Sequence, residues 1–192
     1  MSYRSLTKGE IDLARQIFKD SIDYQKVRVY DSRVFPGFIQ KKGRAMADLN
    51  KISFPDVSAS ADFSAETDPH RKSVFIHELM HVWQHQNKIV KTRLEYFRQM
   101  LKTKFNYSSC YFYTLQKGKD LTSYNYEQQA GIVQDYFALK FLGEGSSYKN
   151  RRLNGVGGAG LVALYEDVLA KFLTNPLYAS KSVKRRGPKS GS

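Results

Sequence analysis

Two periodicities of apolar residues divide this chain into helices and short strands. Ile11, Ala14, Ile17 and Phe18 share one face of a 3.6-residue repeat, and the spacing predicts a helix ending near residue 18. Thr7 and Glu10 open it as a capping box, the hydroxyl taking an orphan N–H and the carboxylate reaching back to the cap residue. Val27-Arg28-Val29-Tyr30 alternates as a strand. Two further short strands fit 44–48 and 51–54, with Leu49-Asn50 as the bend and Pro55 as the stop. Residues 58–67 are small and polar and read as a surface loop.

The densest apolar run comes next. Val74, Phe75, Ile76, Leu79, Met80, Val82 and Trp83 predict a buried helix over 69–87, with Asp68 as N-cap and Pro69 at the first helical position. Helical spacing returns over 91–103 through Leu94, Phe97, Met100 and Leu101. Two tyrosine-bearing segments, 111–115 and 121–124, read as a hairpin about the turn Lys117-Gly118-Lys119-Asp120. Asn125 caps a second long helix over 126–142, which stops at Gly143. The glycine-rich 155–160 matches neither a Walker A nor a dinucleotide fingerprint and reads as a hinge or close-packed turn. A last helix over 161–173 stops at Asn175-Pro176. The pattern gives an α+β fold, mostly helical, with a small antiparallel sheet packed beside the 69–87 helix. One domain is expected over 1–178, followed by a basic, disordered tail over 179–192.

Composition narrows the setting. In 192 residues, 41% hydrophobic and 14% aromatic content suffices for a packed core and excludes disorder over most of the chain. No run of 18 apolar residues is present to span a membrane. The N-terminus lacks the apolar core of a secretory signal, so the protein is expected to be made in the cytoplasm and to leave it by another route. Cys110, a lone cysteine, has no partner for an intramolecular disulfide. The net charge of +13 is concentrated in part in the tail, through Lys181, Lys184, Arg185, Arg186 and Lys189, yet the body stays basic without it. Such a charge favours an anionic partner or surface. No nucleic-acid motif accompanies it, which makes nucleic acid a poor expectation.

The central helix carries the candidate chemistry. His77-Glu78-Leu79-Met80-His81 is an HExxH sequence. On a helix its two histidines lie one turn apart with Cβ atoms about 5–6 Å from each other, close enough for both imidazoles to meet one ion. Glu78 is too near them in sequence to be a third ligand, but it can meet a water on the metal. Two imidazoles and a carboxylate on an apolar helix would be costly to desolvate without a use.

A catalytic zinc takes three protein ligands, so a third is required. A histidine six residues after His81 would complete the longer astacin-like pattern, but that position is Asn87, and Gln84 stands where the glycine would be. His85 is carried ~80° around the helix from His77 and ~6 Å along it from His81, poor geometry for one tetrahedron, which suits it better to the rim. Glu127, in the first turn of the second long helix, is the better candidate, with Asp135 as a weaker one. Gly131 lies on the same face as Glu127 and would let that helix approach closely, at about 1 kcal/mol of helix propensity. With His77, His81 and Glu127 on Zn2+, Glu78 would take the proton of a water made acidic by the ion and return it to the leaving amine. Tyr124, Tyr126 and His85 are candidate donors to the oxyanion.

Four stretches, taken together, resemble a known family: Leu6 to Phe18, Ser21 to Val29, Phe75 to Gln84 with its His81-Val82-Trp83-Gln84 extension, and Tyr126-Glu127-Gln128-Gln129-Ala130. In order and content they are similar to the zincin metallopeptidase domain at the C-terminus of some VgrG spike proteins of type VI secretion. The resemblance implies a zincin-like fold, zinc held by His77, His81 and Glu127, and Glu78 as the catalytic base. It implies an antibacterial toxin acting on a peptide, protein or peptidoglycan substrate in the periplasm of a rival cell, with a cognate immunity protein as partner and a VgrG-type spike as carrier. The sequence holds no spike region, which leaves a free-standing effector, a spike cargo or an excised domain. Gly131 stands where thermolysin-like enzymes carry an aspartate that orients the glutamate ligand. The alternative from another class is a non-catalytic binding module that keeps the scaffold and holds an anionic partner on its basic surface.

Overall fold

The computed structural model describes residues 2–36, 40, 42–89, 111–143 and 158–180. The helix expected over 91–103 and the tail from 181 lie outside the described residues, as does the start of the glycine-rich stretch.

The chain begins with a two-residue strand β1 (Tyr3–Arg4) and helix α1 (Lys8–Phe18). The capping box forms as expected: the Glu10 N–H donates to Thr7 Oγ1 at 3.0 Å and the Thr7 N–H donates to Glu10 Oε2 at 2.9 Å. Glu10 is fully buried and does more than cap. Both terminal nitrogens of Arg4 donate to its carboxylate, at 2.8 and 2.7 Å, and the Phe63 N–H donates to Oε1 at 2.9 Å. One carboxylate thus joins the first strand, the first helix and the loop before the central helix. That loop was expected at the surface, yet Phe63 is buried between Phe54 and Phe75, at ring separations of 4.2 and 5.0 Å. Gly9 lies against Ser64, where a Cβ would have no room.

Strands β2 (Arg28–Tyr30), β3 (Met46–Asp48) and β4 (Lys51–Ser53) complete a sheet of order β1-β2-β4-β3. The sheet is mixed, not antiparallel as expected. The β3–β4 hairpin docks with β4 parallel to β2, and β1 pairs antiparallel with the other side of β2. Burial explains the order: Ile52 of β4 is completely buried and takes a central position, in register with Val29 on one side and Ala47 on the other. The tight turn sets Leu49 at φ 58°. Strand β3 is left at the edge, packed against the central helix.

That helix, α2 (Pro69–Gln86), starts where Asp68 accepts the His70 N–H at 2.8 Å, with Pro69 in the first turn. Phe75, Ile76, Leu79, Met80, Val82 and Trp83 are all fully buried, so the helix runs through the core rather than along its surface. It ends at Asn87, whose side-chain amide donates to the carbonyls of Ser21 and Trp83.

No hairpin forms over 111–124 among the described residues. The turn at Gly118 (φ 77°) is present, but Asp120 caps a 3₁₀ turn at Leu121–Ser123 by accepting from the Thr122 N–H at 3.0 Å, which bends the chain away from strand geometry. Helix α3 (Tyr126–Phe137) follows, opened by a capping box between Asn125 and Gln128 and laid along α2. Its expected last turn is a π-helical segment, Ala138–Leu142, ending at Gly143 with φ 84°. Helix α4 (Gly158–Thr174) includes the last glycines of the expected hinge in its first turn. Phe172 of α4 meets Trp83 edge-on at 5.0 Å and Phe18 at 6.1 Å, closing the core over α1 and α2. No helix among the described residues is long and apolar enough to cross a membrane.

Candidate metal centre

One turn of α2 presents His77 and His81 side by side, their rings 4.9 Å apart and nearly perpendicular at 84°. Opposite them stands the first turn of α3. The Asn125 side chain accepts the Gln128 N–H at 2.9 Å and fixes that turn, which aims Glu127 at the histidines. Oε2 of Glu127 lies 3.4 Å from His77 Nε2 and 3.3 Å from His81 Nε2. One ligand atom from each of the three residues falls within 4.8 Å of the others, and all three residues are buried.

The donor set fits a small divalent cation. Two imidazole nitrogens and one carboxylate oxygen are ligands of the kind that bind zinc, and three ligands leave a position open. The three side chains also act on one another's protonation. Burial pushes the Glu127 carboxyl up, but His81 and His77 outweigh it and hold the group well below the usual carboxylate range. Burial pushes the His81 imidazole down, and Glu127 more than offsets it. The Glu78 carboxyl is pushed up by burial, with His77, His81 and Arg44 opposing. His77 Nδ1 and Glu78 Oε2 are buried with no hydrogen-bond partner among the described residues.

Aromatic rings wall the cluster. Tyr126 lies 4.2 Å from His81 at an interplanar angle of 17°, and Tyr111 lies 6.1 Å from His77 at 29°. Arg44, just before the edge strand, holds its guanidinium 5.3 Å from the Tyr111 ring centre. Burial, then Glu127 and Glu78, push the Tyr126 phenol well above its ordinary value, so it remains a donor at neutral pH.

The other residues singled out in the sequence lie elsewhere. His85 is half-buried one turn further along α2, outside the ligand group. Tyr124 turns its hydroxyl to the loop, accepting the Gln116 N–H at 3.1 Å. Asp135 accepts from Tyr113 Oη at 2.5 Å, and Tyr113 in turn meets Tyr165 at 2.6 Å. A Cβ at Gly131 would meet the Tyr113 ring at 3.4 Å, an ordinary contact, and no atom of α2 among the described residues, so the approach of the two site helices does not require a glycine there.

Two residues of the site stand in the sequence only as part of the stretches that carry the family resemblance, with no role assigned to them. Gln84 is fully buried: its Oε1 is 2.9 Å from His81 Nδ1, and its Nε2 donates to the Tyr126 carbonyl and to Gln129 Oε1, both at 3.0 Å. Gln129 Nε2 donates to the Tyr124 carbonyl at 2.8 Å. The signal was a glutamine three residues past His81 on the same apolar helix.

No protein-family model matches the chain. Over 155 residues, 80% of its length, it is 41% identical to the type VI secretion system spike protein VgrG2b of Pseudomonas aeruginosa, and it spans 14% of that protein. The solved effector domain of P. aeruginosa VgrG2b superposes with a TM-score of 0.63 at 35% identity, over 87% of this chain and 82% of that domain. With identity of that order over most of a separate domain, this chain belongs to the family of the VgrG2b effector domain.

Proposed function

We propose that this protein is a zinc-dependent peptidase that acts as a type VI secretion effector. The observation that carries the reading is the convergence of His77, His81 and Glu127 on one buried point, with Glu78 next to it on α2. Zinc held there would polarise a substrate carbonyl and make a water acidic. Glu78 takes the proton of the attacking water and passes it to the leaving amine; its burial keeps it a strong enough base to do so once deprotonated. Tyr126, protonated and packed on His81, is the donor best placed among the three candidates to meet the developing oxyanion. Edge strand β3 runs beside α2 and offers main-chain groups to an extended peptide.

The relation to a spike-borne effector domain supports delivery by type VI secretion, on or with a VgrG-type carrier. The expected place of action is the periplasm of a target cell, the expected substrate a peptide, a protein or a peptidoglycan cross-link, and the expected guard in the producing cell a cognate immunity protein. Metal analysis of the purified protein and toxicity of a periplasm-directed Glu78→Ala variant test the reading together. Stoichiometric zinc with loss of toxicity supports it; undiminished toxicity in the variant removes hydrolysis from the explanation.

A further inference from the structure

The hydrogen bonds from Tyr124 to His81 can run in one direction only. Main-chain carbonyls accept and never donate. At the far end the Tyr124 carbonyl therefore turns the amide nitrogen of Gln129 toward itself, at 2.8 Å, and leaves Gln129 Oε1 facing Gln84. The Tyr126 carbonyl and that Oε1 both require a donor, and Gln84 Nε2 meets both at 3.0 Å. Gln84 is left with its oxygen toward His81 Nδ1, 2.9 Å away. An oxygen there accepts, so His81 Nδ1 must carry a proton whatever the state of Nε2. The lone pair of the neutral ring is thus assigned to Nε2, the atom 3.3 Å from Glu127 Oε2. Gln84 and Gln129 are themselves buried, so water is not at hand to replace a lost partner.

The carbonyls that set this direction flank Asn125, the cap of the turn that carries Glu127. We propose that Gln84 and Gln129 are positioning residues of the metal centre, a relay of two amides that ties the proton on His81 to the docking of α2 on the first turn of α3. Docking then presents two ligands at once, the Nε2 lone pair of His81 and the carboxylate of Glu127. A neutral amide in this role leaves the imidazole less basic than a carboxylate partner would, so an ion held there keeps more of its charge. The consequence for metal rests on the function proposed above; the relay itself rests on the helix contact alone.

The test compares Gln84→Leu, Gln129→Leu and the near-isosteric Gln129→Met with wild type, and uses Ser73→Ala as a control. Ser73 accepts from Gln134 Nε2 at 3.3 Å, between the same two helices, one turn before His77 and outside the ligand group. Two quantities are read: zinc affinity by chelator competition, and exchange of the His81 Nδ1 proton by NMR in the metal-free protein. Gln129 makes no hydrogen bond to His81, so a change at that proton has to pass through Gln84, which keeps only the Tyr126 carbonyl as acceptor once Gln129 is replaced; a merely local packing role would leave the proton unchanged. The relay requires faster exchange and zinc affinity lowered about 10–100-fold in the Gln84 and both Gln129 variants, with Ser73→Ala like wild type. A protected proton and wild-type affinity in folded Gln129→Met overturn it. If wild type takes up no zinc while its proton is protected and Gln129→Met exposes it, the relay stands and the metal reading falls.

Discussion

The ring of Tyr126 lies flat against that of His81, 4.2 Å away and 17° from parallel. The contact gives Tyr126 a face that holds the imidazole, separable from the hydroxyl to which the proposed function gives the oxyanion. Tyr126→Phe keeps the first and removes the second. Its zinc content should match wild type while kcat falls about 10²–10³-fold with little change in KM. Equal kcat in the two proteins would take the hydroxyl out of the chemistry.

Zinc should stabilise the folded protein through the cluster. At a free concentration 1,000 times Kd the gain is about 4 kcal/mol, seen as a rise in Tm that chelation reverses. Glu127→Ala leaves two ligands and should abolish the rise. In metal-free wild type the depressed Glu127 carboxyl works the other way with pH. Its stabilisation is present above the unfolded-state value for glutamate and is lost as pH falls toward the lower folded-state value, so acid should weaken metal-free wild type more than metal-free Glu127→Ala. Urea titrations between pH 3 and 7 read this directly, and parallel curves would reject it.

The charge of the exposed Arg44 reaches Glu78. The Glu78 carboxyl is pushed up by burial, and the Arg44 charge is one of the groups opposing that rise. Arg44→Met therefore favours the protonated acid, and the acidic limb of the kcat/KM profile should move to higher pH. Arg44 is exposed, so the movement should shrink as salt is added. An unmoved limb at low salt would show that another group sets it.

Glu10 holds the N-terminal part of the fold to the loop that introduces α2. Glu10→Ala leaves the N–H groups of Thr7 and Phe63 without their carboxylate acceptor and leaves the Arg4 guanidinium only the Ser5 and Ser60 carbonyls. The expected loss is about 2–4 kcal/mol, the cost of leaving buried donors unpaired, read as a lower urea midpoint with unchanged slope. A loss below 1 kcal/mol would mean that water replaces those bonds.

The features legible in the sequence are those fixed by residues three or four positions apart. The Thr7–Glu10 capping box, the Asp68-Pro69 start of α2, the Asn125 start of α3 and the pairing of His77 with His81 all depend on helical repeat alone, and the structure has each of them. Glu127 was legible as a candidate, but a carboxylate 46 positions from His81 can be told from Asp135 only by knowing which turn of α3 meets α2. The same holds for the parallel pairing of β2 with β4, which depends on Ile52 taking the buried centre of the sheet, and for the two-residue β1, too short to have a pattern. Tyr124 turns away from the cluster because Asp120 closes a 3₁₀ turn where alternation suggested a strand. Gln84 and Gln129 show the division most plainly: each is readable in its own helix only as part of a motif, and only the packing of α2 on α3 puts them 3.0 Å apart. Local backbone geometry decides what a short window can be, whereas the partner of a buried polar group is chosen by the packing of distant elements, where desolvation leaves it no substitute in water.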